Sequence, residues 1–158
     1  MSEEYALKVM DLVVERLRMT FEGRAWHGPP FTVQLEGIDA GQAKAHPIEG
    51  RHSIWEIVNH AAFWMEKTRT ALEGEAMPDI KGTEDWPPAG ETEEEWTEAK
   101  EALRRTYESL IESVTSFDMS RLGETVPKRK YNFFVMLHGI VDHNVYHMGQ
   151  IAILRAKK

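Results

Sequence analysis

The chain contains no cysteine. That absence removes a disulfide framework, any zinc site built on thiolates and a thiol nucleophile of the protein's own, and it suits a reducing compartment. Positive charge is also scarce: 19 Lys and Arg stand against 26 Asp and Glu, a formal net charge of −7. Recognition of nucleic acid or of an anionic membrane surface needs clustered cations, and the best basic run, Lys128-Arg129-Lys130, is three residues long. Both partner classes are therefore disfavoured. No apolar run reaches the ~20 residues of a membrane span. The opening MSEEYALKVM is acidic and lacks the apolar centre of a signal peptide, so the expected location is the cytoplasm. Strand-like alternation extends no further than Phe31-Thr32-Val33-Gln34-Leu35, and there is neither an internal repeat nor a low-complexity segment.

What remains is helical. A chain of 158 residues is expected to form a single domain over 1–158, large enough to bury a sizeable core. A first helix is predicted after Ser2 as N-cap, carrying Val9, Leu12, Val13, Leu17 and Thr20 inward and stopping near Gly23. Residues 23–51 are rich in Gly and Pro and are expected to hold at most one short helix, capped by Asp39 with Gln42. The second long helix follows the capping box Ser53/Glu56, with Ile54, Ile57, Val58, Ala61, Trp64, Met65, Thr68 and Leu72 at helical spacing, and Gly74 ends it. Residues 74–91 form a connection far longer than an antiparallel helix pair needs, which a crossover between parallel helices explains. A third helix opens at Thr92/Glu95 with the stripe Trp96, Ala99, Leu103, Tyr107, Leu110, Val114 and Phe117. The fourth starts after Asn132 and ends in the cations Arg155, Lys157 and Lys158. The predicted fold class is all-α, a four-helix bundle.

On the fourth helix, His143 and His147 are four residues apart and so share one face, about 6 Å from each other. They lie in the apolar stripe Met136, Ile140, His143, His147, Ile151, Leu154. His60, on the second helix, sits at the edge of the stripe between Ile57 and Trp64. Bundle interiors build metal sites from facing helices, and three imidazoles with a fourth position open is the catalytic pattern rather than the closed structural one. A lone interior histidine is more often a hydrogen-bonded core residue, and a His-x-x-x-His pair arises easily by chance; His60 is what gives the pair weight. His27, His46 and His52 read as surface residues. His138, about 140° around the helix from His143, does not join the set.

Glu56 and Gln150 are candidates to hold the outer nitrogens of the ligating rings, and Trp26, Trp64 and Trp86 are candidate pocket walls. For each, ordinary capping or packing is the simpler reading. No free carboxylate lies one turn from His143 or His147, so a general base is missing from that helix face. Two function classes follow. One is an enzyme whose divalent ion activates water or a small-molecule thiol, since the chain has no thiol of its own. The other is a non-catalytic metal-binding or interaction bundle.

Ser53-Ile54-Trp55-Glu56-Ile57-Val58-Asn59-His60, followed much later by His143-Asn144-Val145-Tyr146-His147-Met148-Gly149-Gln150-Ile151, resembles the DinB-like (DinB/YfiT) superfamily. The Trp26-His27-Gly28-Pro29 loop and the Tyr131-to-Gly139 lead-in are similar to one of its branches. The resemblance implies an up-down-down-up topology, often a homodimer, and matches His60, His143 and His147 to the family's three metal-binding histidines. It further implies metal-dependent transferase or isomerase chemistry with low-molecular-weight thiols such as bacillithiol or mycothiol. Zinc and nickel both suit three imidazoles with solvent. Where relatives often carry arginine after the last histidine this chain has Met148, which removes a positive charge and weakens an anionic-substrate reading.

Overall fold

The structure, a computed structural model, describes residues 3–77 and 79–156. Its elements are α1 (Glu3–Phe21), α2 (Phe31–Leu35), α3 (Ala40–Lys44), α4 (Ile54–Leu72), α5 (Glu93–Ser116), a 3-10 turn at Met119–Gly123 and α6 (Phe133–Ala156). The all-α expectation holds: among the described residues the only extended pairings are the isolated bridges Ala25–Gly28 and Thr125–Asn132. None of the described helices is long and apolar enough to cross a membrane.

Local chemistry starts and stops these helices where the sequence signals lie. Asp39, Ser53 and Thr92 each cap a helix as a complete capping box, with the side chains of Gln42, Glu56 and Glu95 returning to the cap N–H. The Asn132 side-chain Oδ1 accepts from the Val135 N–H at 3.0 Å at the start of α6. At the end of α4, Gly74 takes φ +100°, and the bonds Glu75 N–H to Thr70 O and Gly74 N–H to Ala71 O close a Schellman turn. The expected caps at Ser2 and at Lys157 and Lys158 lie outside the described residues.

The four long helices pack in a ring, in which α1 touches α5 and α6, and α4 touches the same two. Their inner faces supply the core, with Val13, Leu17, Val58, Met65, Trp96, Leu110, Leu137 and Ile151 all essentially inaccessible. Phe21 of α1 stacks on Tyr107 of α5 at 4.1 Å. Trp55 and Trp96, at the starts of α4 and α5, lie 5.2 Å apart, so those two starts share one end of the ring. Leu12 departs from the expected stripe at 50% exposed; the buried face of α1 runs through Met10, Val13, Leu17, Thr20 and Phe21 instead, one step around from Leu12.

The Gly- and Pro-rich segment holds two short helices where one at most was expected. Phe31–Leu35 reads as an alternating strand by pattern but folds as α2, because Phe31, Gln34 and Leu35, at i, i+3 and i+4, are the residues that reach the core. Gln34 donates to the carbonyls of Pro29 and Met148 at 3.0 and 3.1 Å. Arg155 donates to the carbonyls of Val33, Gln34 and Glu36, so α6 caps the helix that the local sequence does not.

Candidate metal centre

α4 and α6 face each other, and their histidines meet. His60 is 5% exposed and His147 is buried beside it, while His143 is half-buried between them. The Nε2 atom of His143 lies 3.0 Å from Nε2 of His60 and 3.1 Å from Nε2 of His147. These three residues form the group of potential ligands found among the described residues.

The outer nitrogens explain why the inner ones converge. His60 donates from Nδ1 to the main-chain carbonyl of Asp85 at 2.7 Å. His147 donates from Nδ1 to the side-chain oxygen of Gln150 at 2.7 Å. A neutral imidazole carries one proton, so both rings present an Nε2 lone pair inward. His143 can satisfy only one of them by donating, and its own Nδ1 is buried with no hydrogen-bond partner among the described residues, as is the neighbouring Asn144 Oδ1. Three neutral nitrogens with too few protons between them are an arrangement that a cation completes. Tetrahedral ligands at zinc–nitrogen distances of about 2.0–2.1 Å stand about 3.3–3.4 Å apart, close to the spacings seen.

Burial keeps all three rings neutral, the form in which imidazole ligates. It pushes His143 down to about 3, helped by the neighbouring His147 and His60. His147 is pushed down to about 4 by burial against the opposing hydrogen bond from Gln150. His60 is lowered by burial too, with Asp85 opposing.

The connection between α4 and α5 covers the cluster. Trp86 stacks on His60 at 3.7 Å and on His52 at 3.6 Å, with rings nearly parallel to both. Asp85 accepts from Trp64 Nε1 at 3.1 Å and holds its carboxylate 3.6 Å from His60 Nδ1. Asn59 secures the same segment by donating to the carbonyls of Pro87 and Pro88. Gly90 lets it pass over Trp55, where a Cβ would stand 2.8 Å from the indole. Two cavities flank the cluster. One, of about 580 Å³, is walled by His147, Gln150, Trp86, Tyr146, His52 and Arg51; the other, of about 330 Å³, is largely apolar and reaches His143 from the side of Trp64 and Tyr131.

The sequence candidates therefore divide. His60, His143 and His147 come together, Gln150 holds His147, and Trp64 and Trp86 stand against the rings. Trp26 is fully exposed at 105% and walls nothing. Glu56 faces away: it accepts from the Ser53 N–H and pairs with His46 and His52. His52 is at the surface as expected, and it also stacks on Trp86. His138 and Asp142 both bond to Arg16, and His27 is exposed. Asp85 was not a candidate at all. The missing carboxylate was sought along α6, whereas this one arrives from a loop without periodicity; its signal is Asp-Trp-Pro-Pro in the long connection.

A family model described as the DinB superfamily matches residues 31–151, well over half of the chain and all three histidines. The chain belongs to the DinB superfamily. No curated protein and no solved structure gives a significant match. In this DinB-superfamily chain the metal-compatible cluster rests on α4, wholly inside the matched span, and on the part of α6 up to Ile151, while α1 precedes the span. Family and geometry agree on a site fitted to a metal ion.

Proposed function

We propose that the protein is a divalent-metal-dependent enzyme in which His60, His143 and His147 hold zinc or nickel and a small molecule enters from the cavity beside His147. The observation that carries this reading is the convergence of three Nε2 atoms whose outer nitrogens are, in two cases, already committed to oxygen acceptors. A divalent ion supplies acidity there, lowering the pKa of bound water towards ~7 or deprotonating a coordinated thiol. The chain's own residues supply orientation and exclusion. Asp85 and Gln150 fix two tautomers, Trp86 shields one face of His60, and burial keeps the rings unprotonated. The Asp85 carboxylate lies on the outer, Nδ1 side of His60, so it orients the ring and does not take a proton from a bound substrate. Small-molecule thiol transfer, with a bacillithiol-type cofactor, and hydrolysis both fit.

The helix ring is read as a single four-helix bundle of up-down-down-up topology. Its supports are the shared end of α4 and α5 at Trp55 and Trp96, and the opposed run of α4 and α6, which places Ile57 by Leu154 and Thr68 by Met136. A cytoplasmic homodimer completes the reading, its dimer tested by light scattering of the eluted protein.

Metal analysis of untagged protein after reconstitution tests the site: one equivalent is expected in wild type and a strong loss in His143→Ala. A wild type without stoichiometric metal sinks the reading. For the reaction, nickel-loaded protein is titrated with a bacillithiol-type thiol and then given an electrophile. A metal spectrum that never responds to the thiol eliminates thiol transfer.

A further inference from the structure

We propose that the cavity beside His147 binds a small carboxylic acid with an apolar body, and that Arg51 recognises its carboxylate. This deepens the metal reading by naming a substrate class, and it rests on that reading only for which end of the ligand faces His147. The cavity of about 580 Å³ falls within the usual range for small-molecule sites. Its walls contain Arg51 and His52 and no Asp or Glu, although the chain as a whole carries a net charge of −7. His52 stands 3.5 Å from the Glu56 carboxylate, so the uncompensated charge belongs to Arg51.

Many other arginines of the fold are engaged: Arg16 with Asp142, Arg69 with Glu66 and Glu73, Arg121 with Glu124, Arg155 with the carbonyls at the end of α2; Arg18 and Arg24 show no acceptor among the described residues either, but they do not line this cavity. Among the described residues no acceptor meets the Arg51 guanidinium. A second donor lines the same cavity. Gln150 gives its oxygen to His147, which leaves its amide N–H groups without an acceptor among the described residues. One guanidinium fork and one amide suit a planar monoanion, because paired N–H donors match carboxylate geometry. The remaining walls, Ile57, Ile153, Leu154 and the rings of Trp86 and Tyr146, suit an apolar or aromatic body. Tyr146 is 64% exposed, a high value for a ring beside such a cavity.

This reverses the inference drawn from position 148. Met148 is 2% exposed and faces the core, so the residue after the last histidine does not line this cavity. The positive charge enters instead from the connection before α4.

The test is calorimetric titration of zinc-loaded protein with benzoate, benzamide and inorganic phosphate, in wild type, Arg51→Ala and Arg51→Lys. Benzoate is expected to bind wild type, and benzamide and phosphate at least about tenfold more weakly. Arg51→Ala is expected to lose about tenfold or more for benzoate, and Arg51→Lys to recover part of it, as loss of a charge-assisted pair dictates. Equal zinc content and melting temperature in the variants confirm that the exposed Arg51 is no fold determinant. No benzoate binding, equal binding of benzamide or phosphate, or an Arg51→Ala variant that binds benzoate as wild type does overturns the proposal. In that last case, if removing zinc abolishes binding, the carboxylate sits on the ion and the metal site stands. If the protein takes up no zinc, the metal reading fails, and the same titration of metal-free protein still decides the role of Arg51.

Discussion

His143 meets two nitrogens through one atom, and its other ring nitrogen has no hydrogen-bond partner among the described residues. Its substitution by alanine removes the shared corner of the cluster, so metal retention should collapse while the fold survives. Gln150→Ala keeps all three ligands but frees the His147 tautomer, and it is expected to weaken metal binding by roughly 10–100-fold, the usual effect of losing a partner behind a ligand. Competition with a coloured chelator measures both. The depressed imidazoles also set a pH dependence in the metal-free protein. Below their ordinary value of 6.5 and down to about 4, the unfolded chain binds protons that folded His143 and His147 refuse. Stability therefore falls as the pH drops through that window and recovers as it rises. Thermal melts in chelator should show this slope, and His143→Gln should flatten it. A metal-free wild type whose melting temperature is level from pH 6.5 to 4 contradicts the geometry.

At the scale of the element, what the sequence disclosed and what it hid follow from range. The three capping boxes are local, four residues end to end, and each stands where the side-chain chemistry places it. Ser53→Ala breaks the one that starts α4 and should cost roughly 0.5–2 kcal/mol, read by chemical denaturation. The histidine pair was legible for the same reason, being one helix turn apart, and His60 was legible because its neighbours have a helical period. Asp85, Arg51 and the contact of His52 with Trp86 were not, because they reach the site from Gly- and Pro-rich segments where no periodicity announces direction. The helix Phe31–Leu35 was not expected for a related reason: its short local pattern carries no helical period or cap, and tertiary partners on α6 hold the helix. Trp86→Ala should leave α4 and α6 intact by circular dichroism. It should also weaken metal binding and expose the α4–α5 connection to proteases.

Across the whole molecule, the ring of four helices supplies the three histidines, while the connections supply much of what covers and orients them. α4 is 19 residues long, about 28 Å, and because α5 begins beside the start of α4 the connection must travel back over that length. Glu73–Thr92 can reach about 66 Å when extended, more than twice what the return journey demands. Excising Thr83–Pro88 leaves about 46 Å of reach, so the helices should still assemble, with near-native helicity and cooperative melting, while metal binding is weakened by the loss of Asp85 and Trp86. The surplus is slack, and the chain spends it on a detour over the histidines. A protein so constructed can retune the surroundings of its histidines by editing one strap of polypeptide, without renegotiating the scaffold beneath it.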